Sequence, residues 1–125
     1  MTAREYLRQA RIIEASVMAT EARMIRYARA AEGLPPHSRA AKAYGRMVAD
    51  MGTQATKLRD WMRELERILD ALPDERHRYI LRRRFCDGCN LTKISRDMHY
   101  SYEHTQKLSM EALREFTRIY EQKRR

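Results

Sequence analysis

Two groups of residues in this chain have the types and spacing to do chemistry. The first is Cys86-x-x-Cys89, followed by His99 and His104. Thiolates and imidazoles at such intervals can hold zinc. The second is Tyr102, Glu103, Gln106 and Lys107. On a helix whose Leu108 and Ala112 face inward, these four point outward, and each suits a base edge. Glutamine pairs with adenine, lysine donates to guanine and glutamate accepts from cytosine N4. Tyrosine can lie against a thymine methyl or bond a phosphate. Asn90, Lys93, Arg96, Ser101 and His104 flank them and carry groups that reach phosphate oxygens. Taken singly, each charged residue is better explained as part of a solvated helix face.

The zinc reading fails on spacing and pattern. Nine residues separate Cys89 from His99, against about twelve in a zinc finger. Residues 91–98 have a helical pattern rather than that of a strand hairpin, and a helix there adds roughly 12 Å of rise at ~1.5 Å per residue. No metal is expected, and two reduced thiols beside a turn are the simpler account. A thioredoxin-like role needs a strand–helix–strand context that the pattern lacks. No phosphate loop, nucleophile elbow or metal-binding carboxylate cluster occurs. Neither an enzyme activity nor a cofactor is expected.

The base-edge reading depends on how residues 72–116 fold. Leu72-Pro73 ends one helix, and Pro73 or Asp74 starts the next, with an Asp-Glu pair suited to its dipole. Ile80, Leu81 and Phe85 form its core face. Gly88 suits a C-terminal turn. Asn90 can cap a helix over 91–98 that buries Leu91, Ile94 and Met98. Ser101 can cap a last helix running to about Gln122, with Leu108, Ala112, Leu113 and Phe116 inward. Helix, tight turn, helix is the grammar of a helix-turn-helix, whose last helix normally lies in the DNA major groove.

The first 72 residues have a different pattern. Tyr6, Ala10, Ile13, Val17, Thr20, Met24, Tyr27 and Ala31 recur at alternating spacings of four and three, the seam of a coiled coil. Gly33-Leu34-Pro35-Pro36 ends that helix, and Ser38 can cap another. Its stripe is Tyr44, Val48, Met51, Ala55, Leu58, Met62, Leu65, Leu69 and Leu72. A short connection makes the two helices antiparallel neighbours. Gly45 and Gly52 inside the second helix should each weaken it by roughly 1 kcal/mol relative to Ala. Trp61, Ile68 and Ile12 lie off the seams and need another surface. The fold is therefore expected to be all-α, with a long antiparallel hairpin over 1–72 and a helix-turn-helix domain over 73–125. The hairpin is either a dimerisation or partner-docking arm or a pair of stripes that bury only each other.

Composition agrees with a nucleic-acid partner. The chain has 125 residues, 26 basic against 17 acidic, and a net charge of +9. An isoelectric point near 10.0 is the usual flag for such a partner, although solubility alone would also account for it. The bias is modest: residues 1–72 carry +4 and residues 73–125 carry +5. No apolar run suits a membrane span, and the N-terminus lacks the apolar core of a secretory signal. The expected location is the cytoplasm.

The C-terminal residues resemble region 4 of sigma-70 family RNA polymerase sigma factors. The matching residues are Leu72, Pro73, Ile80, Leu81, Arg82, Arg84, Phe85, Gly88, Leu91, Ile94, Ser101, Leu108, Ala112 and Leu113. The whole chain is more similar still to ArpU-type phage and prophage regulators. Those begin with a similar AREYL helix and end in a sigma-like helix-turn-helix with a Met-x-Tyr-Ser-Tyr turn, reproduced here by Met98-His99-Tyr100-Ser101-Tyr102. Cys86 stands where sigma factors carry glycine, and Arg83 replaces a usually apolar residue. No counterpart of the promoter-melting region 2 occurs in these residues. The resemblance implies a transcription regulator of a bacterial host cell that uses the promoter-binding module alone. Its implied partners are double-stranded DNA and RNA polymerase. A small terminase-like DNA-packaging subunit, or an adaptor that binds polymerase without DNA, would share much of this pattern.

Overall fold

The computed structural model describes residues 1–124 and is all-helical, with no strand among the described residues. Arg125, the last residue of the expected 73–125 segment, lies outside the described residues. The helices are α1 (Ala3–Arg8), α2 (Ala10–Glu32), α3 (Arg39–Asp70), α4 (Glu75–Leu81), α5 (Leu91–Met98) and α6 (Tyr102–Lys123). A π-helical turn over Arg82–Cys86 extends α4. The chain forms two compact units: Met1–Arg11 with Arg63–Arg125, and Ile12–Met62. The division therefore passes through the two long helices rather than falling at Leu72.

The unit that holds both chain ends begins with a reciprocal cap. Glu5 N–H donates to Thr2 Oγ1 at 3.1 Å, and Thr2 N–H donates to Glu5 Oε2 at 2.9 Å. Two otherwise unpaired amides are satisfied together. The helix expected over 2–32 breaks at Gln9, whose N–H turns back to Tyr6 O at 3.2 Å. This sets α1 apart, with Ala3, Tyr6 and Leu7 buried. The Tyr6 ring lies 5.0 Å from that of Tyr120 and 6.4 Å from that of Phe116. Tyr6, read from the sequence as a seam residue of the hairpin, thus packs on α6. Its stacking partners are aromatic, and burial with the Glu64 carboxylate nearby pushes its hydroxyl pKa up. Burying such a ring stabilises by roughly 1.5–3 kcal/mol.

Ile80 of α4, Ile94 of α5 and Leu108 of α6 form one buried cluster, with Cys89, Leu91 and Met98 packed around it. Ile68, expected to need a further surface, is fully buried in this unit. Asp74 caps α4 by accepting from Arg76 N–H at 2.9 Å. His77, for which the sequence offers no partner, places Nε2 at 3.7 Å from Asp74 and 3.6 Å from Glu111.

In the Ile12–Met62 unit, the later turns of α2 meet the earlier turns of α3. Glu21 pairs with Arg59. The Tyr27 and Tyr44 rings lie 5.8 Å apart. Gly52 approaches Met24, whose Cε would lie 3.4 Å from an added Cβ. These pairs run in opposite directions along the two helices, so the segments are antiparallel. Ser38 caps α3 by accepting from Ala41 N–H at 3.1 Å. Val17, Met51 and Ala55 are buried, whereas Ile12, Met18 and Ile25 are more than half exposed. Ile12, expected to need another surface, is thus left uncovered among the described residues.

Candidate nucleic-acid interface

The turn between α5 and α6 fixes which residues of α6 face outward. The last residue of the turn, Ser101, has extended backbone, and its Oγ accepts from His104 N–H at 3.1 Å. Before it, His99 adopts the left-handed conformation at φ 60°. Tyr100 N–H then reaches Ser95 O at 3.0 Å and His99 N–H reaches Arg96 O at 3.2 Å. These bonds close α5 much as glycine would. No sequence signal marks a histidine for that role.

Thr105, Leu108, Ser109 and Ala112 are buried on the inner side of α6. Tyr102, Glu103, Gln106 and Lys107 are all exposed. Among the described residues the side chains of Gln106 and Lys107 make no hydrogen bond or ion pair, so their polar groups remain available to a ligand. Met110, 57% exposed, follows Gln106 and Lys107 on the same face at spacings of four and three. It was not among the expected candidates, although its spacing alone could have found it, and its thioether suits a thymine methyl. Ser109, by contrast, faces inward and accepts from Arg84 Nη1 at 3.0 Å.

The expected phosphate-contacting residues divide by their existing bonds. Asn90 Oδ1 accepts from Lys93 N–H at 2.8 Å, which caps α5 and leaves the amide NH2 to donate. Ser101 likewise caps with its lone pairs and keeps its hydroxyl proton. Lys93 lies 3.6 Å from Asp97 in an exposed pair, an interaction weak enough to exchange for phosphate. Arg96 is exposed and has no ion pair among the described residues. His104 packs edge-on against Tyr100 at 4.7 Å.

The three successive arginines of the π-helical turn take three separate tasks. Arg82 bonds Glu66 at 2.7 Å and Asp70 at 2.9 Å, tying the turn to the end of α3. Arg83 bonds Asp87 at 2.9 Å and Asp97 at 3.3 Å, and these carboxylates raise its pKa. Arg84 lies against the Phe85 ring, 5.0 Å from its centroid, and reaches Ser109. Burial lowers its pKa, and Arg4 and Arg8 lower it further.

Among the described residues no group of three or more His, Cys, Asp or Glu side chains could hold a metal ion. Cys86 and Cys89 are both half-buried. No described helix is long and apolar enough to cross a membrane. No family model, no curated protein and no solved structure matches this chain.

Proposed function

We propose that the chain is a sequence-specific DNA-binding transcription regulator of the phage or prophage type, working in the cytoplasm of a bacterial host. In this reading α5 and α6 are a sigma region 4-like helix-turn-helix, and α6 enters the major groove. One observation carries the reading. The first two turns of α6 present Tyr102, Glu103, Gln106 and Lys107 to solvent, while the opposite side of the same turns is closed by the Ile80–Ile94–Leu108 core. A recognition helix needs this division between a rigid inner side and a polar outer one. Asn90 and Arg96 supply phosphate donors on the neighbouring helix. RNA polymerase is the second partner that the resemblance implies. Self-association through residues 12–62 would use the exposed Met18 and Ile25 of α2.

Selection of bound sites from random double-stranded DNA tests the reading. Recovery of a defined site is expected. Gln106→Ala and Lys107→Ala should each weaken binding to it by ~1–3 kcal/mol, roughly 5- to 150-fold, and relax the preference at one base position. Paired half-sites about 34 Å apart would mark a dimer, and a single site a monomer. Absence of any enriched site would overturn the proposal. So would selective binding that both substitutions leave unchanged, since it would move recognition off α6.

A further inference from the structure

Arg4, Arg8 and Arg11 form a row that the proposed recognition helix does not account for. Arg4 and Arg8, four apart, share a face of α1, and Arg11 follows at the start of α2. All three are exposed. None has an ion pair among the described residues, whereas Glu5, the nearby acidic residue, is engaged in capping Thr2. The row has fixed neighbours. α1 is anchored on α6 by Tyr6, which lies against Tyr120 and Phe116, and by Tyr120 Oη, which donates to Met1 O at 3.4 Å. α1 therefore lies against the C-terminal half of α6.

Further toward the start of α6 stands Arg84, held by Ser109 Oγ at 3.0 Å. Arg4 and Arg8 are near enough to act electrostatically on it, and so is Tyr102. Ser109 and Tyr102 lie on the same flank of α6, seven residues apart or two helical turns. Arg11 extends the row to the loop before α5. Its guanidinium lies over Gly88, within 2.4–2.7 Å of where a Cβ would stand. Gly88 has φ +72°, so this close approach coincides with a backbone shape that already favours glycine. The nearby Asp87 carboxylate is held by Arg83 at 2.9 Å and does not neutralise the row.

Like charges gathered without carboxylates are costly unless an anion joins them. We propose that Arg4, Arg8 and Arg11 bind the DNA phosphate backbone beside the groove that α6 enters, making the chain's first helix part of the DNA interface. The inference rests on the DNA-binding reading above. It commits to duplex phosphates because the row is continuous with Arg84 and Tyr102 on the flank of α6. Arginine suits the site because its fork bonds phosphate oxygens in pairs.

The test uses the full chain with two probes, the selected site and a random-sequence duplex of equal length. Binding is measured across a salt series for the wild type, Gln106→Ala, and the triple variant Arg4→Gln, Arg8→Gln, Arg11→Gln. Each arginine lost should lower the slope of log affinity against log salt by ~0.9. The triple variant should weaken both probes by the same factor and keep the wild-type base preference, whereas Gln106→Ala changes that preference. The triple Arg→Lys variant should keep the slope, which separates charge from any effect on folding. If the wild type binds its site and the triple glutamine variant keeps the full slope, the inference is overturned and the DNA-binding reading stands. If the triple variant loses only RNA polymerase binding, the row belongs to a protein interface and the inference also fails. If the wild type binds neither duplex, both readings fall together.

Discussion

The unit that holds both chain ends and the Ile12–Met62 unit are made from the same kind of amphipathic helix, yet they bury it differently. In the first, Leu7, Ile68, Leu69, Leu72, Ile80, Leu81, Ile94, Ala112 and Phe116 are at 0% exposure. In the second, the best-covered residue is Val17 at 4%, while Met18 stands 67% exposed. A helix with neighbours on several sides can seal its stripe completely. A helix with one neighbour covers only the line of contact, and residues such as Met24 and Tyr27 stay half-buried. The comparison separates a unit whose helices are sealed on several sides from one whose surfaces are incomplete. Its two helices resist opening with fewer buried contacts, so their amides should exchange faster than those of α4–α6.

Core truncation gives the sharpest way to break this contrast. Phe116→Ala removes a fully buried ring and should cost about 3–5 kcal/mol. Val17→Ala removes two methyl groups from a thinner core and should cost about 1–2 kcal/mol. Urea denaturation of both variants measures the difference. Equal losses would mean that the Ile12–Met62 unit is sealed as tightly as the other.

The glycines give a smaller contrast with opposite signs. Gly88, in the unit of the chain ends, has φ +72° and the Arg11 guanidinium over it. Gly88→Ala should destabilise by about 1–2 kcal/mol, through backbone strain more than through the flexible arginine. Gly45 lies inside α3 with nothing within 4 Å of an added Cβ. Gly45→Ala should stabilise by roughly 1 kcal/mol through helix propensity. Thermal unfolding should therefore move down for one and up for the other. A loss at Gly45 would show that its open space is occupied by a partner in solution.

What could be read in advance follows the same contrast. Caps are local, so Ser38, Asp74, Asn90 and Ser101 are legible from residue type and the apolar run that follows. The period of the stripes is local too: every expected seam position from Tyr6 to Ala31 and from Tyr44 to Leu72 is buried or half-buried. The outward positions of Tyr102, Glu103, Gln106 and Lys107 follow from that same period. Partner choice is not local. The pattern at Tyr6 fits a seam with α3 as well as a seat on α6, and nothing in it marks the break at Gln9. The run Arg82-Arg83-Arg84 looks like one basic patch, but the π-helical turn spreads the three over α3, the 87–97 segment and α6. The left-handed turn at His99 is imposed by the bonds of Tyr100 and Ser95 rather than by a glycine. Arg4, Arg8 and Arg11 are recognisable as a row only once α1 is known to lie along α6.

The smallest expected effect is electrostatic and lies at the start of α4. Asp74 caps the helix through Arg76 N–H and also bonds the Arg76 guanidinium at 2.9 Å. The Arg76 side chain, foremost, holds the carboxyl pKa down at about 2, against about 3.9 in an unfolded chain. A carboxylate whose pKa falls on folding stabilises above the unfolded value. That contribution fades as pH drops from about 4 through the folded value of about 2. Asp74→Ala removes cap and charge together and should cost ~1 kcal/mol at neutral pH. Asp74→Asn keeps a capping oxygen and removes only the charge, so its deficit should be smaller. The wild type and Asp74→Asn should then converge in stability as the pH falls below about 2. A gap that persisted there would assign the effect to side-chain geometry, and one absent at neutral pH would mean that Arg76 and Asp74 are screened in solution.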